Sequence, residues 1–186
     1  MNTSYNTQND LLLNNLLEFY KKNDNMDKML GIINGKSEIS LRIIDWFATN
    51  YAKKHYTVYQ LEGTDKRFKV YNDYKLKLKA YSKRRFDPFC RWERITIPYK
   101  DGSCIQTTIG QLNFFKWALE NNVIAYINQN FKNIESDMNS RNSTSKSKKS
   151  DNICNNKTRK KREELSVSAS KSIKKETVEI VLNFDT

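Results

Sequence analysis

The sequence is poor in the residues that most enzymes need at their active sites. It contains one histidine, His55, which argues against a Ser-His-Asp triad and against metal sites built from several histidines. The three cysteines show no Cys-x-x-Cys spacing, and glycine-rich loops of the kind that bind phosphates are absent. The acidic residues are scattered along the chain. We therefore expect a protein without catalytic activity, bound metal or cofactor.

Long apolar runs are missing as well. No stretch of about 18 apolar residues, the length that spans a bilayer, occurs in the sequence. The first residues lack the basic start and apolar centre of a secretory signal. An odd number of cysteines without such a signal predicts free thiols in a reducing compartment. We expect an intracellular protein that does not contact a membrane.

Positive charge is the main property that the sequence does have. The chain carries 33 Lys and Arg against 21 Asp and Glu, which gives a formal net charge of +12. Its mean hydropathy of −0.80 is low for a globular protein, so we expect part of the chain not to pack. A charge of this size predicts an acidic partner, either nucleic acid or an acidic protein surface.

Residues 74–94, YKLKLKAYSKRRFDPFCRWER, interleave cations with aromatic side chains. A polyanion with stackable bases requires both. Two interpretations stay open: the rings stack on bases, or they pack in the core beneath a solvated basic face. No helix-turn-helix, zinc-finger or RNP pattern is present, so sequence-specific readout is not expected. The candidate nucleic-acid-binding residues are Lys75, Lys79, Tyr81, Lys83, Arg84, Arg85, Arg91, Trp92 and Arg94.

Two aspartates and two cysteines receive structural explanations. Asp87 precedes a proline and is expected to cap a turn. Asp45 is expected at the surface or in a pair, for example with Arg42. Cys90 and Cys104 are expected to be half-buried small residues, because two thiols without a histidine partner make a poor zinc site.

Residues 35–131 are predicted to form a small α+β domain, with two β-hairpins packed on two main helices. Ser40 can cap the first of these helices, and Thr108 can cap the second, with Gln111 at the capping-box position. The hairpins are predicted within residues 56–71 and 94–107. Residues 72–85 fit either a strand or a helix, and the lack of β-branched residues favours a helix.

The two flanks of this domain differ in composition. Residues 1–34 are predicted to form an amphipathic helix and a linker, able to dock on the core or on a partner. Residues 132–175 are rich in Ser, Asn and Lys, and we expect a disordered basic tail because few apolar side chains offset the entropy of ordering.

Each end of the C-terminal flank carries a candidate motif. A basic cluster within the tail predicts a nuclear localisation signal or a nucleic-acid-binding arm: Lys157, Arg159, Lys160, Lys161 and Arg162. Residues 176–186 alternate apolar and polar side chains. They predict either an edge strand of the domain's own sheet or a peptide that docks on a partner through Val178, Ile180, Leu182 and Phe184.

Three sequence blocks together resemble a known family: SEISLRIIDWFATNYAKK at 37–54, YKLKLKAYSKRRFDPFCR at 74–91 and TTIGQLNFFKWALENNVIAYI at 107–127. They are similar to a small uncharacterised protein family widespread in nucleocytoplasmic large DNA viruses, the mimivirus-like giant viruses. The resemblance covers about residues 31–130. It implies a viral protein located in the viral factory, nucleus or virion of an infected cell, and it transfers no functional residue.

These observations lead to two hypotheses of different classes. The leading one is a non-enzymatic, largely sequence-independent nucleic-acid-binding protein of a large DNA virus, with DNA as the expected ligand. The alternative is a virion structural or adaptor protein. It would dock virion or viral-factory proteins through its C-terminal peptide and its N-terminal helix.

Overall fold

The computed structural model describes residues 8–61, 63, 65–90, 92–147 and 174–177. The elements in these residues follow in this order: α1 (Gln8–Tyr20), α2 (Asn25–Ile33), α3 (Leu41–Trp46), a π-helical turn (Phe47–Tyr51), α4 (Ala52–Lys54), β1 (Val58–Gln60), β2 (Arg67–Lys69), α5 (Val70–Phe86), β3 (Arg94–Pro98), a 3₁₀ turn (Lys100–Gly102), β4 (Ser103–Thr108), α6 (Ile109–Glu120), α7 (Val123–Gln129), α8 (Phe131–Ser147) and β5 (Lys174–Thr177). The predicted α+β fold class is confirmed.

Both predicted hairpins form, and the two sheets are small. In the first sheet, β1 and β2 pair antiparallel with Tyr59 opposite Phe68. In the second, β4 is central and pairs antiparallel with β3 on one side and β5 on the other. Gly102 has a φ of 69° in the turn between β3 and β4, a conformation that glycine adopts without steric cost.

Helix α6 lies at the centre of the core. Apolar residues on several of its sides are buried, which is typical of a helix surrounded by other elements: Leu112, Phe114, Phe115, Trp117 and Ala118. The helix begins as predicted, because the Thr108 side chain accepts a hydrogen bond from the backbone N–H of Gln111 at 3.2 Å. Helix α3 is capped by Ser40 in the same manner.

The N-terminal segment forms two helices that pack on this core. Asn23 and Asp24 adopt left-handed φ values of 53° and 52°, and they separate α1 from α2. Leu16 and Met29 are fully buried, one from each helix. The Tyr20 hydroxyl donates a hydrogen bond of 2.7 Å to the carbonyl oxygen of Leu112 in α6. The sequence left open whether this segment docks on the core or on a partner, and in the structure it packs on the core.

Residues 72–85 are helical, as their composition favours, and belong to α5. Val70 and Tyr74 are buried against the core, as is Phe86 at the end of the helix. Ser82 interrupts the helix with φ 63° and ψ 166°, so the last turn points in a new direction. The kink lies just before the most basic part of the segment, Lys83 to Arg85.

Helix α8 differs from the sequence prediction. Disorder was expected from residue 132, whereas the structure continues as helix to Ser147. Ile134 and Met138, one helical turn apart, are buried in the core. Asp137 accepts hydrogen bonds from the side chains of Trp46 and Lys54. These contacts explain why a segment of polar composition is ordered at its beginning.

The remaining C-terminal predictions fall largely outside the described residues. Lys174–Thr177 form the edge strand β5, in which Thr177 pairs with Ser103. The docking residues Val178, Ile180, Leu182 and Phe184 lie beyond the described part of the chain. So does the basic tail cluster of Lys157, Arg159, Lys160, Lys161 and Arg162.

Candidate nucleic-acid interface

Helix α5 presents three of the predicted lysines to a common groove. Because Val70 and Tyr74 face the core, Lys75 and Lys79 project from the outer side of the helix and are exposed. They lie one turn apart, about 6 Å along the helix axis. Lys83, beyond the kink, lines the same groove, which has a volume of about 750 Å³.

A second groove of about 400 Å³ adjoins the first. It lies between the end of α4 and the β1–β2 hairpin, and Lys53, Tyr56 and Lys69 contribute to its lining. Tyr71 and Asn72 line both grooves, so the two are neighbours on one surface. We call the two adjoining grooves together the basic groove, and define it by Lys53, Tyr56, Lys69, Tyr71, Asn72, Lys75, Leu76, Lys79 and Lys83.

The described lining residues of the basic groove carry positive charge only. None of the described residues that line it is Asp or Glu. Within the described part of the chain, the lysine ion pairs lie elsewhere: Lys54 pairs with Asp137, Lys100 with Asp27, and Lys116 with Glu120. Ammonium groups that share a groove without carboxylates raise the local positive potential and favour an anionic ligand.

The other predicted binding residues are distributed over different surroundings. Tyr81 stacks on Phe86 with ring centroids 6.1 Å apart. The Arg84 guanidinium lies 4.4 Å from the centroid of the Trp92 ring, a cation–π contact that pairs the two predicted residues with each other.

The remaining arginines also lie apart from the basic groove or beyond description. Arg85 donates a hydrogen bond of 3.4 Å to Gln8 of α1, and Arg94 donates one of 3.0 Å to Gln106 of β4. Arg91 lies outside the described residues. The structure therefore brings together Lys75, Lys79 and Lys83, and it does not add the other predicted residues to their groove.

Six groove residues were missed by the sequence analysis, and three of them, Lys53, Tyr56 and Lys69, come from outside α5. Lys53 and Tyr56 lie at the end of the α3–α4 helical segment, and Lys69 comes from β2. The register of the hairpin, in which Lys69 pairs with Val58, carries this lysine to the same side as the helix end. No local pattern could identify the three, because their proximity arises from packing between elements distant in sequence.

Asp45 occupies a different environment from the one expected. It is half-buried, and its pKa is raised to about 7. Burial is the larger cause and the nearby negative charge of Asp87 is the smaller one. Asp87 caps its turn as predicted, since its carboxylate accepts a 2.9 Å hydrogen bond from the backbone N–H of Phe89. Helix α6 approaches this turn closely: a Cβ on Gly110 would lie 2.9 Å from the Asp87 carbonyl oxygen, so only glycine fits.

The described residues can also be compared with the requirements of a metal site and of a membrane-spanning helix. In the described part of the chain, no group of three or more His, Cys, Asp or Glu side chains is arranged to hold a metal ion. Cys90 and Cys104 are free and half-buried, as expected. No helix in the described ranges combines the length and apolarity needed to cross a membrane.

The comparisons with known proteins place the chain in a viral context. None of the solved structures matches it. "Uncharacterized protein L507" of Acanthamoeba polyphaga mimivirus is 45% identical over 128 residues, which cover 65% of this chain and 49% of the relative. The chain thus spans about half the length of the curated relative it matches, and the predicted resemblance to giant-virus proteins is confirmed. A family model matches residues 2–179, almost the whole sequence, and the chain therefore belongs to the family of unknown function DUF7197.

Proposed function

We propose that this chain is a non-enzymatic, largely sequence-independent nucleic-acid-binding protein of a large DNA virus. The observation that supports this proposal is the basic groove, in which five lysines line two adjoining grooves without an acidic side chain among the described lining residues. Nucleic acid is the commonest polyanion in an infected cell, and neutralising its phosphates releases counterions, which favours binding.

The chemistry of these cations favours contact with the phosphate backbone. All five charged residues of the groove are lysines, whose ammonium is a point charge without the bidentate geometry by which arginine recognises guanine. Phosphate contacts position a nucleic acid without reading its sequence. The groove therefore supports binding with low sequence specificity.

The basic tail extends the same electrostatic mechanism. The basic cluster within it, Lys157, Arg159, Lys160, Lys161 and Arg162, adds charge that contacts phosphates independently of the groove. A protein of this kind suits the viral factory, the nucleus or the virion, where viral nucleic acid is concentrated. Virion or viral-factory proteins with acidic surfaces are the competing partners.

A charge-neutralising variant of the full chain tests the proposal. Lys53→Gln, Lys75→Gln and Lys79→Gln together remove three groove charges, and Lys28→Gln, Lys36→Gln and Lys132→Gln remove three exposed charges elsewhere. Fluorescence anisotropy with labelled 20-nucleotide single strands and 20-base-pair duplexes measures the affinity at about 0.15 M salt. We expect the groove variant to bind about 30- to 100-fold more weakly and the control variant less than about threefold more weakly.

Two results would overturn the assignment. Equal weakening in both variants would show that net charge alone governs binding and that the groove has no special role. Unchanged affinity in the groove variant would place the binding surface elsewhere. Thermal unfolding of each variant establishes that the substitutions leave the fold intact.

A further inference from the structure

We propose that the basic groove takes single-stranded nucleic acid, with the Tyr56 ring stacking on a base. This inference rests on the proposed function and names the form of ligand that the groove accepts. Tyr56 is 87% exposed, the highest exposure among the large hydrophobic residues in the described part of the chain. It borders the groove beside Lys53 and Lys69, so a base on the ring would have its phosphates near both ammonium groups.

The backbone holds Tyr56 in this exposed position. Helix α4 ends at Lys54, and Tyr56 follows with a left-handed φ of 47°. The next backbone N–H, that of Thr57, donates a 3.1 Å hydrogen bond to the Ala52 carbonyl oxygen, which is the closing bond of a Schellman motif. Glycine is the usual residue at this position, because a side chain there is sterically costly. A large aromatic residue at such a cost indicates a function for the ring.

The apolar surface between the lysines favours a single strand over a duplex. Leu76 is 66% exposed and lines the groove between Lys75 and Lys79, and Val58 beside Tyr56 is 45% exposed. A duplex keeps its base faces stacked inside and would set only phosphates and sugars against this surface. A single strand offers base faces to aromatic and apolar side chains while its phosphates reach flanking cations.

The test uses the full chain with three labelled probes that share the same number of phosphates per strand: a 20-nucleotide oligothymidine, an abasic 20-mer, and a 20-base-pair duplex. We expect oligothymidine to bind about fivefold to a hundredfold more tightly than the abasic strand, since base–aromatic stacking contributes an effect of that size. Tyr56→Ala should lose most of this difference, and Tyr56→Phe, which keeps the ring, should retain it.

The outcomes separate this inference from the proposed function. One outcome would overturn the single-strand assignment and leave the proposed function standing. In that outcome, substitution of the groove lysines weakens binding to all three probes, while the wild type binds oligothymidine and the abasic strand with equal affinity. Tighter binding of the duplex than of oligothymidine would also overturn it. A Tyr56→Ala variant that weakens binding to the abasic strand as much as to oligothymidine would show that the ring acts on the fold and not on the bases.

Trp92→Ala is the matched aromatic control. Its ring is also partly exposed, but it is covered on one face by Arg84 and does not line the basic groove. We expect this variant to keep the preference for oligothymidine over the abasic strand. If it loses the preference while Tyr56→Ala keeps it, the stacking residue is Trp92 and the assignment to Tyr56 is wrong.

Discussion

At the residue scale, Tyr56 combines a conformational cost with a proposed role in binding. A residue with a Cβ in the left-handed region is less stable there than glycine by about 1–2 kcal/mol. Replacing Tyr56, whose φ is 47°, by glycine relieves that cost and removes little packing, because the ring is exposed. The position is thus one where stability and binding are expected to change in opposite directions.

We predict that Tyr56→Gly raises the free energy of unfolding by about 1 kcal/mol and the melting temperature by about 2–4 °C. The same variant should lose the preference for oligothymidine over the abasic strand. Urea denaturation measures the first effect and anisotropy the second. Tyr56→Ala is the control. Because alanine keeps the Cβ, this variant should not gain free energy of unfolding over the wild type. A Tyr56→Gly protein less stable than wild type would show that the ring packs on the core.

Single residues of the site were predictable only where one helix carries them. Lys75 and Lys79 were predicted because they lie in the segment that interleaves cations with aromatic side chains, and the helix then places them on its exposed side, away from the buried Val70 and Tyr74. Tyr56 gave no signal, because alternating β-formers from that position predicted a strand. Its exposure depends on where α4 ends, which in turn depends on tertiary packing.

At the element scale, local chemistry predicted helix starts better than helix ends. Ser40 and Thr108 cap their helices because each side-chain oxygen accepts a hydrogen bond from a backbone N–H only three positions along the chain. The extension of α8 to Ser147 was missed because its order rests on contacts with α3 and α4, about 90 residues earlier in the chain. The polar composition of this segment predicted disorder, because it does not show that Ile134 and Met138 lie together on one buried turn.

Asp137 provides the polar attachment of α8. Its carboxylate accepts hydrogen bonds from Lys54 at 2.5 Å and from the Trp46 indole at 3.1 Å, and His55 lies 4.0 Å away. Burial by itself raises the pKa of Asp137, but the hydrogen bonds from Lys54 and Trp46 and the charges of Lys54 and Arg141 outweigh it, so the pKa lies below its usual value. The ionised carboxylate therefore stabilises the folded state.

We predict that Asp137→Asn lowers the free energy of unfolding at pH 7 by about 1–2 kcal/mol, a modest loss because Lys54 is half-exposed. A carboxyl whose folded pKa is depressed contributes stability above its unfolded pKa and loses it as pH falls through the folded pKa. The difference between variant and wild type should therefore shrink below about pH 4. Urea denaturation from pH 3 to pH 7, with the exposed Asp65→Asn as control, measures this. A difference that is constant with pH would contradict the charge-based account.

At the scale of the whole molecule, two regions that are rich in cations, the basic groove and the tail cluster, contribute to the net charge of +12. The basic groove offers cations at fixed positions beside apolar side chains. The tail cluster offers cations alone, in a segment without aromatic residues between Lys157 and Arg162. In the proposed function both regions would neutralise phosphates, so we expect both to contribute to the salt dependence of binding. Only the groove has surfaces for base faces, so the two contributions can be separated.

We predict different salt and base dependences for variants of the two regions. Each lost phosphate contact reduces the magnitude of the negative slope of log K against log[salt] by about 0.7 to 0.9. Removing the charges of Lys53, Lys75 and Lys79 should therefore reduce the slope by about 2 to 3 and remove part of the preference for oligothymidine over the abasic strand. Replacing the five cations of the tail cluster by glutamine should reduce the magnitude of the slope by at most about 3.5 to 4.5 and leave that preference unchanged. Anisotropy titrations of the full chain from 50 to 300 mM salt measure both quantities. The contrary result is a groove variant that keeps the wild-type slope, together with a tail variant that no longer binds any probe. All phosphate contacts would then belong to the tail, because counterions are released only where cations contact phosphates.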